Sequence, residues 1–175
     1  MRKIIIVFLI SIFFSCSNND SEEFVKQEIS GIYKIDRFVS SESADLNEDG
    51  ISNKNFKSEL LDYFNEIPLK ISELPKHEPF DLLFAIYLPY PNEIVDKPYG
   101  HLIYDLYALF KRLKFKNGEL NIHENDLNSE DKIIFQRFEI ISDSKIEISL
   151  IMKLYDFENL KWKNYKCKIL YIKTE

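Results

Sequence analysis

Residues 145–154, KIEISLIMKL, alternate polar and apolar side chains, and Ile151 is the one position that departs from the alternation. Successive side chains of a β-strand point to opposite faces of a sheet, so this pattern predicts an antiparallel strand with one face in a core and one in water. The apolar face of this strand consists of Ile146, Ile148, Leu150, Met152 and Leu154. The stretch therefore indicates a domain built from β-strands.

Comparable segments occur on both sides of this stretch. Their β-branched and aromatic residues favour strands, and a hairpin is predicted where Asn117-Gly118 supplies the strongest short turn signal. Residues 101–110 fit a helix or a strand, and their Tyr and Ile content favours the strand. The predicted strands are Gly31–Val39, Phe80–Tyr90, His101–Phe110, Ile133–Ile141 and Tyr165–Lys173, with the hairpin over Lys114–Ile122.

One helix is predicted over Phe56–Ile67, where Leu60, Phe64 and Ile67 recur at helical spacing. The polar residues 40–55 before this helix, and the proline-bounded residues 68–79 after it, are predicted as loops.

About eight sequential strands with mostly short connections predict an antiparallel up-and-down meander. Closing the meander into a barrel removes its exposed edges, and an open sandwich is the alternative. A barrel of about eight strands is wide enough for its own side chains or for one small ligand. The fold prediction is a mainly β, antiparallel up-and-down barrel of about eight strands with one short helix after the first strand.

The N-terminus carries Arg2 and Lys3, followed by the eleven-residue run IIIVFLISIFF at positions 4–14. This run is shorter than the roughly 20 residues of a membrane-spanning helix and fits the apolar part of a signal peptide. The following Ser15-Cys16 resembles the lipobox of bacterial lipoproteins. The resemblance implies cleavage before Cys16 and attachment of acyl chains such as palmitate to its sulfur. The alternative is an ordinary signal peptide with an incidental cysteine.

The polar, acidic segment after Cys16 is predicted to be a flexible tether. Ser17 follows the cysteine where some lipoproteins have aspartate, and by the same resemblance this favours the outer membrane over the inner. The acidic residues Asp20, Glu22 and Glu23 are similar to a signal that directs some lipoproteins to the cell surface, so both the periplasmic and the surface face stay open. The predicted organisation is a signal peptide at 1–15, a lipidated tether at 16–29 and a β domain at 30–175.

The composition narrows the range of functions. Removing residues 1–15 leaves 21 basic residues against 29 acidic ones, a formal charge of −8, and an acidic chain without a basic stripe is a poor candidate for binding nucleic acid. Cys167 is the second of only two cysteines and is predicted to be a small buried side chain. The three histidines are isolated from one another, and no nucleophile or phosphate-binding motif is present. The sequence therefore predicts a protein that is not an enzyme.

Two segments together resemble uncharacterised lipocalin-like lipoproteins. Gly31-Ile32-Tyr33 opens the first strand as Gly-x-Trp does in lipocalin-like domains, and the loop after it reads Asp45-Leu-Asn-Glu-Asp-Gly50. Ser52, Asn53 and Glu59 follow that loop. The resemblance covers about the first forty residues after the predicted cleavage site and implies a barrel-like lipoprotein without an established activity.

The same loop has an independent interpretation as a calcium site. Its side-chain oxygens stand at positions 1, 3 and 5 with Gly50 at position 6, as in an EF-hand loop. Position 12 is Phe56, where an EF-hand has a bidentate Glu, and Glu59 stands three residues later. The alternative is a turn in which Asn and Asp bond their own backbone. The predicted ligands are Asp45, Asn47, Asp49, the Ile51 carbonyl and Asn53.

Three functions are compatible with these features. The first is a membrane-anchored barrel that binds a small apolar ligand. The second is a solid barrel that contacts another protein of the cell envelope, for which an exposed apolar strand such as Phe80–Tyr90 would be the signature. The predicted bilayer contact runs through acylated Cys16 in both cases. An enzyme, the third, would need titratable groups gathered in a cleft.

Trp162, with Tyr155, Phe157 and Tyr165 nearby, suggests an aromatic binding platform or a cover for one barrel end.

Overall fold

The computed structural model describes residues 28–60, 68–76, 78–93, 102–116, 119–122 and 133–174. The predicted signal peptide and nearly all of the predicted tether, including Cys16, lie outside the described residues, as do the three histidines and residues 61–67. The strands are β1 Gly31–Ala44, β2 Asn53–Asn55, β3 Leu69–Glu73, β4 Leu82–Glu93, β5 Leu102–Lys116, β6 Glu119–Ile122, β7 Ile133–Ser142, β8 Lys145–Asp156 and β9 Lys161–Lys173, and helix α1 is Phe56–Glu59.

These strands form one antiparallel sheet with the order β6-β5-β4-β3-β1-β9-β8-β7, and the short β2 pairs with β1. Every neighbour in this order is also a neighbour in sequence apart from β1 and β9, and from β1 and β3, which flank β2 and α1. The first and last long strands pair from Tyr33↔Lys173 to Ser40↔Cys167. The predicted up-and-down meander is therefore confirmed.

The sheet curls on itself. Phe84 of β4 contacts Phe135 and Phe138 of β7 edge to face, with ring centroids 6.1 and 5.4 Å apart, although four strands separate β4 from β7 along the sheet. Among the described residues, β6 and β7 are the two ends of this strand order. The result is a curled half-barrel consistent with the predicted lipocalin-like barrel.

The alternation predicted for residues 145–154 is present in the burial of β8. Its five apolar positions are buried and the intervening ones are half-buried or exposed. Ile151, which departs from the alternation, lies on the outer face opposite Ile134 of β7. β4 repeats the pattern with Leu82, Phe84 and Ile86 inside, so both long hairpins turn an apolar face to one core.

Several predicted boundaries change in the structure. Residues 40–44, predicted as loop, continue β1, because Ser40 still pairs with Cys167 and is buried. β2 also lies within the predicted loop. Residues 69–73, predicted as part of a proline-bounded loop, form β3, which joins β1 to β4. The predicted helix begins at Phe56 and is described as far as Glu59.

Candidate functional site

The candidate site is the loop that follows β1. Asp45 accepts two backbone N–H groups through its carboxylate, from Glu48 at 2.8 Å and from Gly50 at 3.0 Å. Asp49 accepts the Ile51 N–H at 2.8 Å. Glu48 and Gly50 both have positive φ, 64° and 80°, a conformation that glycine adopts at low cost and that other residues adopt less readily. These bonds and the two left-handed residues wind residues 45–51 into a compact turn.

Three carboxylates converge at this turn. One oxygen each from Asp45, Asp49 and Glu59 lie within 4.8 Å of one another. Two oxygens bound to one Ca²⁺ at 2.3–2.6 Å cannot be more than about 5 Å apart, so this spacing meets the geometric requirement for a shared ion. Asp45 is 2% exposed and Glu59 6% exposed, whereas Asp49 is open to solvent.

Glu59 reaches the loop because of the helix that carries it. Phe56, at the position where an EF-hand has its acidic ligand, instead packs edge to face against Phe38 and Tyr165 in the core. Residues three apart share one face of a helix, so the same inward face of α1 presents Glu59 one turn later. Its carboxylate also accepts the Leu46 N–H at 3.1 Å. Glu59 is the residue that the five predicted ligands omit.

The predicted amide ligands are placed differently from each other. Asn47 stays within the turn, where its amide donates to Asp49 at 3.1 Å and its carbonyl accepts the Asp49 N–H at 3.2 Å. Asn53 is turned toward α1, because its side-chain carbonyl accepts the Asn55 N–H and its amide donates to Ser58. The structure therefore brings Asp45, Asn47 and Asp49 together and directs the Asn53 side chain elsewhere. Ile51 follows them in the turn, 66% exposed.

The electrostatics of the turn favour a cation. Burial raises the pKa of the Glu59 carboxyl above its ordinary value, and the neighbouring Asp49 and Asp45 charges raise it further, while the hydrogen bond from Leu46 acts in the opposite direction. Within the described part of the chain, no basic side chain forms an ion pair with any of the three carboxylates. Like charges held this close repel each other unless a proton or a cation compensates them.

Two hydrogen bonds from other segments of the chain, together with its continuation from β1, fix the loop to the end of the barrel. Tyr104 of β5 donates its hydroxyl to the Leu46 carbonyl at 2.9 Å, and the Phe157 N–H donates to the Asp45 carbonyl at 2.9 Å. Leu46 itself is fully buried. An ion bound by this turn would therefore be coupled to β1, β5 and the β8–β9 connection.

Neither protein-family models, nor curated proteins, nor solved structures gave a match to this chain.

The inner side chains of most long strands are almost completely buried in the part of the chain that the structure describes, as in a close-packed core. On β7, Phe138 and Ile140 are partly buried against this core. Fully buried examples are Tyr33, Phe38, Phe84, Leu88, Ile148, Leu150, Met152, Ile169 and Tyr171. Cys167 is buried among them, as predicted, and burial raises the pKa of its thiol to about 12.

A few polar groups share this interior. Lys111 of β5 is 1% exposed and lies opposite Phe84. Asp156 at the end of β8 accepts the Tyr165 hydroxyl at 2.9 Å and the Asn159 amide at 2.7 Å. The buried Tyr171 hydroxyl has no hydrogen-bond partner among the described atoms. These groups are spread over different strands.

The predicted aromatic group divides between two faces. Tyr155 contacts Phe157 and Trp162 edge to face on the β8–β9 hairpin, and all three rings are half-buried. Tyr165 is buried in the core against Phe56. No helix among the described residues is both long enough and apolar enough to cross a membrane.

Proposed function

We propose that this chain is a calcium-binding lipoprotein of the outer membrane, in which acylated Cys16 tethers a solid β-barrel to the bilayer. The observation that carries the calcium proposal is the convergence of Asp45, Asp49 and Glu59 on one point. Carboxylates, a side-chain amide and a backbone carbonyl are the oxygen ligands that Ca²⁺ takes in proteins. The proposed ligands are Asp45, Asn47, Asp49 and Glu59 with the Ile51 carbonyl.

Calcium binding would stabilise the fold because the ligands come from two separate elements. Asp45, Asn47 and Asp49 belong to the loop after β1, whereas Glu59 belongs to α1, and an ion that binds both resists their separation. Sites of extracellular strength have dissociation constants of about 0.1–1 mM. At 10 mM Ca²⁺ such a site adds roughly 1.4–2.7 kcal/mol, equivalent to a rise in melting temperature of roughly 3–10 °C for a domain of this size.

The test uses residues 17–175, which retain the described core because all its members lie between Ile29 and Tyr171. Thermal unfolding is followed by circular dichroism in EDTA, in 10 mM Ca²⁺ and in 10 mM Mg²⁺. We expect Ca²⁺ to raise the melting temperature and Mg²⁺ to raise it less, because Mg²⁺ demands near-ideal octahedral geometry and gives up its water reluctantly.

Asp49→Asn is the variant of choice because Asp49 is exposed and its replacement leaves the core intact. Asp143→Asn, in the exposed turn at the opposite end of the barrel, is the control with the same change in charge. Asp49→Asn should abolish the calcium shift and Asp143→Asn should keep it. An unchanged wild-type melting temperature in Ca²⁺, or an equal shift in both variants, would refute the calcium site.

The filled interior favours a second element of the proposal, an interaction scaffold. A cup for a small apolar ligand needs a cavity of several hundred cubic ångströms, and the fully buried inner side chains support a solid barrel instead. Exposed apolar residues on β5, namely Leu106 and Phe110, supply an outer surface for contact. The competing function is a barrel with an interior cavity that binds a small apolar ligand.

Native mass spectrometry of residues 17–175 purified from a Gram-negative host separates these two functions. A solid scaffold should give the bare chain mass after EDTA treatment. A stoichiometric small-molecule adduct that survives EDTA would identify the cup. The anchor is tested separately, by the mass of the N-terminal peptide of the full chain expressed in the same host: acylated Cys16 is expected, and an unmodified Cys16 would contradict the proposal.

A further inference from the structure

One outer face of the barrel combines exposed apolar side chains with basic ones. Residues directly opposite each other in paired strands point to the same side of a sheet. The registers Ile32↔Lys70, Lys70↔Ala85 and Ala85↔Phe110 therefore place one row across β1, β3, β4 and β5. The inward neighbours Phe84 and Lys111 are buried, so this row faces outward.

The adjacent rows of the sheet also place apolar and basic side chains on this outer face. Leu83 lies opposite Arg112, Tyr87 opposite Ala108, and Pro89 opposite Leu106. Ile32, Leu106 and Phe110 are 48%, 55% and 53% exposed. We call this surface the β3–β5 face, and it consists of Ile32, Lys70, Leu83, Ala85, Tyr87, Leu106, Ala108, Phe110, Arg112 and Lys114.

The charge of this face is opposite to that of the protein. The chain carries a formal charge of −6, yet the charged residues of the face are Lys70, Arg112 and Lys114. Two acidic residues lie nearby: the Asp81 carboxylate accepts the Phe115 N–H at 2.8 Å, and Asp105 lies opposite Tyr90, an inward residue of β4. Arg112 lies over the Phe80 ring, 4.7 Å from its centroid, which holds the guanidinium at the surface.

We propose that the β3–β5 face docks on a bilayer that contains anionic phospholipids, so that the barrel lies against the membrane to which it is anchored. Exposed apolar side chains that enter the interface, together with basic side chains near anionic headgroups, are the features by which proteins bind membrane surfaces. Each basic residue close to such a surface strengthens binding roughly fivefold.

The position of the chain's entry into the barrel supports this occupant. The segment from Cys16 ends at the start of β1, and Ile32, two residues into the strand, belongs to the face. A tether of about thirteen residues reaches at most roughly 45 Å, so the anchor keeps the face close to the lipid. The proposal rests on the proposed anchor at Cys16, and the experiment below uses a chain without acyl groups so that the two can fail independently.

The test measures co-sedimentation of residues 17–175 with vesicles of phosphatidylcholine alone or with 30% phosphatidylglycerol, in EDTA. Binding to the anionic vesicles is expected to be at least tenfold stronger, and 0.5 M NaCl should remove most of that difference by screening. Lys70→Gln/Arg112→Gln/Lys114→Gln should weaken binding on the order of 100-fold, and Phe110→Ser should weaken it on both kinds of vesicle.

Matched controls come from the other side of the barrel. Lys153→Gln/Lys161→Gln/Lys166→Gln removes three exposed lysines of β8 and β9, and Ile134→Ser removes an exposed apolar residue of β7. These variants should bind like wild type, and circular dichroism confirms that each variant is folded. Equal loss in the control variants, or no preference for anionic vesicles, would overturn the proposal. A dimer in sedimentation velocity that Phe110→Ser dissociates would assign the face to a second copy instead.

Discussion

The hairpins β4–β5 and β8–β9 are paired over the same length, but their outer faces carry different side chains. Each is joined by twelve register pairs, and each turns apolar side chains such as Phe84 or Ile148 to the shared core. The outer face of β8–β9 carries the ion pair between Lys168 and Glu147 at 2.7 Å, and its apolar residues, such as Ile151 and Trp162, are half-buried. The outer face of β4–β5 exposes Leu106 and Phe110.

This difference shows that the inward and the outward positions of these strands are subject to different requirements. The inner face of both hairpins is set by the requirement to fill the barrel, so their inward patterns agree. The outer face is free to vary without loss of the fold, since isolated surface substitutions usually change stability little. Large apolar side chains that are more than half exposed, such as Leu106 and Phe110 on β5, are therefore a feature that folding does not require, and they lie where we expect contact with a partner.

The largest expected effect comes from emptying the core beneath either hairpin. Phe84→Ala should cost about 3–5 kcal/mol of unfolding free energy and Ile148→Ala about 2–5 kcal/mol, because each leaves a cavity among close-packed side chains. Urea denaturation of residues 17–175 measures both. Losses below about 1 kcal/mol at either position would mean that the core beneath that hairpin is not close-packed.

An intermediate effect is expected where β8 ends. Burial raises the pKa of the Asp156 carboxyl, but hydrogen bonds from Asn159 and Tyr165 outweigh it and hold this pKa below the ordinary value of 3.8. A group with a depressed folded pKa stabilises the fold above its unfolded pKa and loses that contribution as pH falls through the folded value. Asp156→Asn should therefore cost about 1–3 kcal/mol at pH 7 and progressively less below pH 4.

Urea midpoints of wild type and Asp156→Asn at pH 7, 4 and 3 give this difference directly. Asp143→Asn, in the exposed turn between β7 and β8, serves as the reference for an exposed carboxylate at a hairpin end. A cost for Asp156→Asn that stays constant from pH 7 to pH 3 would show that its charge does not stabilise the fold.

The smallest effect is expected on the outer faces, where the two hairpins differ most. Phe110→Thr on β5 and Lys153→Thr on β8 should each change the unfolding free energy by no more than about 0.5 kcal/mol, because threonine suits a strand and both side chains are exposed. Chemical denaturation tests this equality. If Phe110→Thr alone cost 2 kcal/mol or more, the β4–β5 outer face would belong to the core packing of the domain.

Long strands with regular alternation could be predicted from the sequence, and the short ones could not. Residues 145–154 display ten positions of pattern, enough to predict the strand and its buried face. β3 offers only Leu69 and Ile71 as buried positions between two prolines, and its pairing with β1 and β4 depends on strands distant in sequence. Ser40 reads as polar loop, yet its pairing with Cys167 of β9 extends β1.

The loop after β1 was predicted in part. The order of Asp45, Asn47, Asp49 and Gly50 is local information, and in the structure the first three side chains lie in one turn with the Gly50 N–H bonded to Asp45. Glu59 depends on the direction in which α1 leaves the barrel end, and that direction is set by the packing of Phe56 against Phe38 and Tyr165. The signal that was available is an acidic residue three positions after a core aromatic, on the same helical face.

The pairing of β1 with β9 has a consequence for the order in which the molecule can be completed. Of the described strands, β1 is synthesised first and β9 last, so the seven register pairs between them cannot form until all the described strands have been made. Such a long sequence separation slows the closing step. The proposed export would gain from this delay, because the barrel stays open and the chain can remain extended until the thirteen-residue strand β9 has been made.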